Sequence, residues 1–271
     1  DTYPLTKAQH GIYVQTHMDQ TKIAYNMPGA FVIEADIDVQ RLEQAFTKLI
    51  ETEDLLRTSF HNDGQAVYGR VAKNVPFIVK RLRGADFAQV SQSFVQPFDL
   101  ATAPLMRVGI WQNGQGKKVL FIDIHHIVND GLGSNVLLAK LNALYAAKTL
   151  PKAEVSYLDY TVWQQENEKS TEEVTAYWQA QAQRLAKPME LPHDYPRKKT
   201  FDFAGDTCTC LLEKDKVASL EAFAKVNGVT IYAVLMGAYS LLLHRLSASK
   251  TVHIGMPCAG RTLAQTQSML G

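Results

Sequence analysis

Apolar residues recur along this chain with two periods, and each switch between them marks a new element. Residues 30–34 alternate as a strand does. Asp38 then precedes Leu42, Ala45, Phe46, Leu49 and Ile50, spaced as one face of a helix behind a carboxylate cap. Residues 55–60 predict a second strand, Asn62-Asp63-Gly64 a hairpin turn, and residues 65–71 the returning partner. Residues 75–82 predict another strand, and residues 86–95 a short helix ended by Pro97. Residues 105–111 and 118–124 predict a strand pair joined through Asn113-Gly114-Gln115-Gly116. The second of these is apolar on both faces, which predicts a central strand. Ser134 is placed to cap the next helix, whose face is Val136, Leu137, Leu138, Leu141, Leu144 and Tyr145.

Residues 157–184 carry a largely helical pattern rich in glutamate and glutamine. Pro188, Pro192 and Pro196 follow, and so dense a set of prolines excludes a helix interior or a central strand. An extended linker over 187–200 is expected, between a lobe of residues 1–186 and a second lobe of residues 201–271. In the second lobe residues 207–212 and 252–256 predict strands. Helices are predicted at 214–226 and 230–246, separated by Asn227-Gly228. The first lobe reads as a finished α/β (α+β) unit; the second has too few elements and reads as incomplete.

Composition narrows the partners. The 28 basic and 27 acidic residues leave a net charge of +1, which supplies no field to draw nucleic acid or an anionic membrane. No run approaches the ~18 apolar residues of a membrane span. The opening residues, Asp1 to Gln9, lack the apolar core of a signal peptide. Three cysteines, Cys208, Cys210 and Cys258, fit a reducing cytoplasm, and their spacing is poor for zinc. No metal site is expected.

The chemistry concentrates in His125-His126-Ile127-Val128-Asn129-Asp130-Gly131, directly after the apolar strand. An imidazole can move a proton near neutral pH, so a base for an attacking nucleophile is one role for this stretch. Neighbouring strand residues point to opposite faces, so one histidine is expected to be catalytic and the other structural. Asp130 has two open roles: orienting His126 as in a catalytic triad, or holding the loop through an arginine. The Asp-Gly turn preference favours the second, with Arg57 as the candidate partner. Gly131 is expected to take positive φ and admit a close approach. Adjacent histidines bind one metal poorly. Glycine-rich phosphate loops and a Gly-x-Ser-x-Gly elbow are absent from the sequence, so nucleotide binding and a serine nucleophile have no support.

His125 to Gly131 resembles the His-His-x-x-x-Asp-Gly signature of nonribosomal peptide synthetase condensation domains, of the chloramphenicol acetyltransferase-like superfamily. Further matches stand in the family's order: Leu5-Thr6-Lys7-Ala8-Gln9, Leu56-Arg57-Thr58-Ser59-Phe60, Pro97-Phe98-Asp99-Leu100, Tyr157 to Trp163, and Ile254 to Arg261. The resemblance implies two acetyltransferase-like lobes in a V around a tunnel, the second lobe incomplete here. It implies amide formation between a donor thioester and an acceptor aminoacyl thioester. Both would be delivered on phosphopantetheine arms by upstream and downstream carrier domains, with an adenylation domain as neighbour. No cofactor of the domain's own is implied. By resemblance His126 is catalytic, His125 supports it, Gly131 lies near the reacting carbonyl, and Asp130 pairs with Arg57. Ser134 and Arg261 fall along the tunnel. Tyr25-Asn26-Met27-Pro28-Gly29 resembles domains joining an L-donor to an L-acceptor. The chain departs from the family at Glu53-Asp54, where His-Glu is common, and at Leu132, where Trp is common. Alternatives from the same motif are an epimerisation domain, a coenzyme A-dependent acyltransferase, and a non-catalytic docking domain for carriers.

Overall fold

The computed structural model describes residues 1–271 except 35, 151–153, 168–171, 185–188, 198–200 and 202. Its contacts divide the chain into two units: Asp1–Lys169 with Ala259–Gly271, and Ser170–Cys258. The proline pattern predicts a break within 187–200 and a second lobe of 201–271. The contact units break earlier and return the last thirteen residues, 259–271, to the first.

Among the described residues the first unit holds two sheets. Strands β1 (Thr2–Pro4), β4 (Val67–Val71) and β3 (Thr58–Asn62) form a three-stranded antiparallel sheet in that order. The second sheet runs β2 (Asn26–Ile33), β7 (Lys118–His125), β6 (Met106–Gln112) and β5 (Val79–Arg81), with only β5 and β6 parallel. Strand β7 is central and buried along nearly its whole length, as its doubly apolar sequence requires. On one face Leu120, Ile122 and Ile124 join the main core with Phe46, Leu49 and Ile50 of helix α2 (Val39–Thr52) and Leu137 and Leu141 of helix α4 (Gly131–Tyr145). On the other face Val119 and Phe121 meet Val90 and Phe94 of helix α3 (Phe87–Phe94). The helix cap expected at Asp38 forms, its carboxylate accepting from the Arg41 N–H at 3.1 Å.

Several elements depart from the pattern. Helix α1 (Lys7–Met18) has no periodic signal, because the residues it buries, Gln9 and Thr16, are polar. It starts from a capping box formed by Thr6 and Gln9. The expected strand at 55–60 begins with a 3-10 turn, Asp54–Arg57, and only then enters β3. Residues 75–82 yield only the short β5. The cap of α4 is Asp130, not Ser134. Residues 157–184 contain helices α5 (Tyr157–Asn167) and α6 (Glu172–Arg184).

The second unit contains α6, α7 (Lys214–Val226) and α8 (Ile231–Ser247), the latter two as expected. Residues 207–212 and 252–256 pair with no strand among the described residues. Alternation alone does not hold an extended segment, which needs a hydrogen-bonding neighbour. Lys187, Pro188, Lys198 and Lys199 of the proline-rich and basic stretch lie outside the described residues. No single helix among the described residues is long and apolar enough to cross a membrane.

Candidate active site

Strand β7 ends at His125, the chain turns through residues 126–130, and α4 begins at Gly131. The two histidines have opposite environments. His125 is fully buried. Its Nδ1 accepts from the Ile127 N–H at 3.2 Å, which places the proton on Nε2. Nε2–H then donates to Thr16 Oγ1 at 3.4 Å, and that hydroxyl donates to the Ile12 carbonyl at 2.8 Å. Burial, with the neighbouring His126, pushes the His125 imidazole down to about 4, so it is neutral at pH 7. With both nitrogens engaged inside the unit, His125 pins the loop to α1.

His126 is exposed. Its backbone N–H donates to the Tyr25 carbonyl at 2.8 Å, and the Tyr25 ring stands edge-on to its imidazole at 6.4 Å. Of the two imidazoles, only that of His126 is open to a reacting molecule.

Three anchors fix this loop. Gln9, 2% exposed, donates through Nε2 to the Ile127 carbonyl at 3.0 Å. The Leu5 to Gln9 stretch therefore owes its pattern to the histidine loop as well as to its own helix cap. Asp130 supplies the second anchor. Its carboxylate accepts from the Gly133 N–H and, at 3.1 Å, from Arg261 Nη2. The expected pairing of Asp130 with Arg57 does not form. Arg57 closes its own 3-10 turn against Asp54 and donates to the carbonyls of Ile50, at 3.1 Å, and Ala72. Its guanidinium is used up by the end of α2 and the strand beside it. Arg261, expected along a tunnel, has its side chain 5% exposed. Besides Asp130 it donates to the carbonyls of Thr266 at 2.8 Å, Met269 at 2.5 Å and Gly271. Nothing in the local pattern marks this partner, 131 residues from Asp130.

The third anchor also escapes the sequence pattern. Asp123, fully buried, accepts from Asn26 Nδ2 at 2.8 Å and faces Arg107 Nε at 3.4 Å. Burial raises its carboxyl above the usual carboxylate range. The Arg107 guanidinium lies 3.8 Å over the Phe98 ring, whose edge meets His125 at 6.1 Å. Two residues before His125, this cluster braces the face that holds the buried ring.

The positive φ expected at Gly131 does not occur, and the tightly packed glycine is Gly133, two positions on. Gly131 is exposed, has ordinary φ, and a Cβ there would meet nothing within 4 Å. Gly133 is the crowded one: a Cβ would lie 2.7 Å from Asn129 Oδ1, 3.0 Å from Asp130 Oδ1 and 3.1 Å from the Gly271 carbonyl oxygen. Ser134 accepts from Asn129 Nδ2 at 2.7 Å and donates to the Asp130 carbonyl at 3.0 Å.

The anchored turn thus carries one exposed imidazole, His126, next in sequence to a buried neutral one, His125. A model of the condensation domain family matches residues 1–271 in full. The chain belongs to the condensation domain family. It is 34% identical over 273 residues to tyrocidine synthase 3 of Brevibacillus parabrevis, covering 99% of the chain and 4% of that protein. It is 33% identical over 275 residues to gramicidin S synthase 2 of Aneurinibacillus migulanus, covering 100% of the chain and 6% of that protein. The chain thus spans a small fraction of the curated relatives it matches. Among solved structures, the condensation domain from a Monacolin K polyketide synthase shares its fold with a TM-score of 0.84 at 19% identity. That match covers 100% of the chain and 65% of the solved one. A holo four-domain nonribosomal peptide synthetase bound to AMP and glycine matches at TM-score 0.87 and 23% identity, over 100% of the chain and 21% of that structure. The α/β acetyltransferase-like fold is that of condensation domains. In nonribosomal peptide synthetases these are acyltransferases that form peptide bonds.

Proposed function

We propose that this condensation domain joins a donor acyl or peptidyl thioester to the amine of an acceptor aminoacyl thioester, with His126 at the reacting atoms. The amine nitrogen attacks the thioester carbonyl, the new C–N bond forms, the C–S bond breaks, and the thiol leaves on the donor's arm. His126 takes the proton that the amine sheds, or holds the amine on line for attack. His125 sets the loop, and Asp130 with Arg261 holds the start of α4. The observation that carries this reading is the contrast between an exposed His126 and a fully buried, neutral His125.

The two thioesters are supplied on phosphopantetheine arms by upstream and downstream carrier domains, beside an adenylation domain. The relatives are peptide synthases many times longer than the one segment this chain matches, and this supports that supply. The resemblance of Tyr25-Asn26-Met27-Pro28-Gly29, at the start of β2, to domains joining an L-donor to an L-acceptor supports an L-to-L preference. Three free cysteines are in keeping with a cytoplasmic setting.

The test presents the full-length protein with donor and acceptor aminoacyl groups on carrier domains, and in parallel with the donor as a coenzyme A thioester. Mass spectrometry follows the products. Amide formed from the carrier-bound pair, at a rate well above that from the coenzyme A thioester, is the expected result. Inversion of a single carrier-bound residue without amide formation would assign epimerisation instead.

A further inference from the structure

A pocket of about 190 Å³ opens between β2 and α4, beside the turn that bears His126. Ile122 and Ile124 of β7 form its floor, and Phe31 of β2 and Leu138 of α4 are among its walls. We infer that this pocket receives the side chain of the donor acyl group and selects an uncharged, aliphatic or benzyl-sized one; the inference rests on the amide-forming reading above.

Size limits the occupant. Pockets that hold a whole small ligand run to roughly 300–1,000 Å³, whereas an apolar cavity of about 150 Å³ takes a group the size of benzene. The pocket therefore suits one side chain and not a whole substrate. Chemistry limits it further. None of the lining residues is charged, and its polar groups come from Asn129 and Ser134. An ionised side chain placed there would lose its hydration with no countercharge in return.

Asn129 gives the direction. It is 2% exposed, its Nδ2 donates to Ser134 Oγ at 2.7 Å, and its buried Oδ1 has no hydrogen-bond partner. A buried amide oxygen left alone is unusual in a folded protein and calls for an N–H. An aminoacyl or peptidyl group carries an N–H on the same carbon as its side chain. The acceptor's nitrogen is the attacking atom and belongs at His126. The donor's nitrogen takes no part in bond formation, so it is the one free to meet the Asn129 amide, which lines the pocket and whose sealed Oδ1 reaches it only by a turn of that side chain away from Gly133, while the donor side chain enters the pocket. Asn129 stands three residues beyond His126 on the same turn, which places the pocket and the reacting centre on one short stretch of chain.

The experiment uses the full-length protein with carrier domains loaded with alanyl, leucyl, phenylalanyl or aspartyl groups, first as donors against one acceptor, then as acceptors against one donor. The wild type is expected to favour leucyl or phenylalanyl donors over aspartyl by at least ~10-fold in kcat/KM. Leu138→Trp, which fills the pocket, should lower the leucyl-to-alanyl donor ratio by ~10-fold. Phe31→Ala, which widens it at a side chain already 41% exposed, should raise the phenylalanyl-to-leucyl donor ratio. If Leu138→Trp fails to fold, Phe31→Ala decides alone. Donor ratios that stay at the wild-type values in the folded variants, or shifts confined to the acceptor series, would overturn the inference while amide formation stands. Absence of amide with every donor would overturn the functional reading beneath it.

Discussion

Replacing Asp130 removes two interactions of different kinds, and they can be separated. The carboxylate caps α4 through the Gly133 N–H and pairs with Arg261. Loss of a capping side chain to alanine costs about 1 kcal/mol. The ion pair lies between two limits. Breaking a fully buried pair costs roughly 3–5 kcal/mol, while exposed pairs are worth about 0–1 kcal/mol. Here the Arg261 side chain is 5% exposed but that of Asp130 is 29% exposed. Arg261 also keeps three carbonyl acceptors when the carboxylate goes. We therefore expect a loss of about 1–2 kcal/mol for Asp130→Asn, which retains a capping oxygen, and about 2–3 kcal/mol for Asp130→Ala. A double-mutant cycle of Asp130→Asn with Arg261→Ala should return a coupling of about 1–2 kcal/mol. The same cycle with Arg57→Ala should return less than about 0.5 kcal/mol, since Arg57 spends its donors on Asp54, Ile50 and Ala72. Urea unfolding followed by circular dichroism, extrapolated linearly to water, measures all the corners. A coupling to Arg57 equal to or larger than that to Arg261 would refute the assignment.

Two further expectations concern the same turn. His125 has a folded-state pKa of about 4, below its unfolded value near 6.5, so the unfolded chain binds the extra proton between those limits. Stability is therefore intact above pH ~6.5 and falls as pH drops toward 4, by at most about 3 kcal/mol. The raised carboxyl of Asp123 acts in the opposite sense, and comparison with His125→Asn cancels it. Urea unfolding at pH 7.0, 5.5 and 4.0 should show the wild type losing its advantage over that variant as pH falls; a constant difference contradicts the neutral buried ring. Gly133→Ala should cost about 1–3 kcal/mol by overpacking, while Gly131→Ala should be neutral or slightly stabilising in a first helical turn open to solvent. Thermal melts rank the pair, and a larger loss at Gly131 would contradict this packing.

The elements most legible in the sequence were those in which apolar side chains make the core. Helices α2 and α3 and the β6–β7 pair follow from periodicity, and Asp38 caps α2 as expected; α7 and α8 stand at the expected places although each buries one residue only, Ala224 and Leu243. Helix α1 was not legible, because its buried contacts are polar: Gln9 reaching Ile127 and Thr16 reaching His125. The site divided along the same line. Alternation along β7 anticipated opposite surroundings for the two histidines, and His125 is buried while His126 is exposed. The partner of Asp130 could not be found locally, since Arg57 and Arg261 are both arginines in family-like stretches and only the fold decides which one comes near. The Asp123, Asn26 and Arg107 cluster was hidden for a similar reason. The three are single polar positions on separate strands that only the sheet register brings together, with Asp123 fully buried.

The central claim, that His126 is the group serving the reacting amine, is tested most directly by single-turnover amide formation between loaded carrier domains in the full-length protein. His126 is exposed, so His126→Ala leaves no cavity, and the melting temperature should stay within about a degree or two of wild type. The rate of amide formation should fall by roughly 100- to 10,000-fold. A folded His126→Ala protein that forms amide at the wild-type rate would contradict the account.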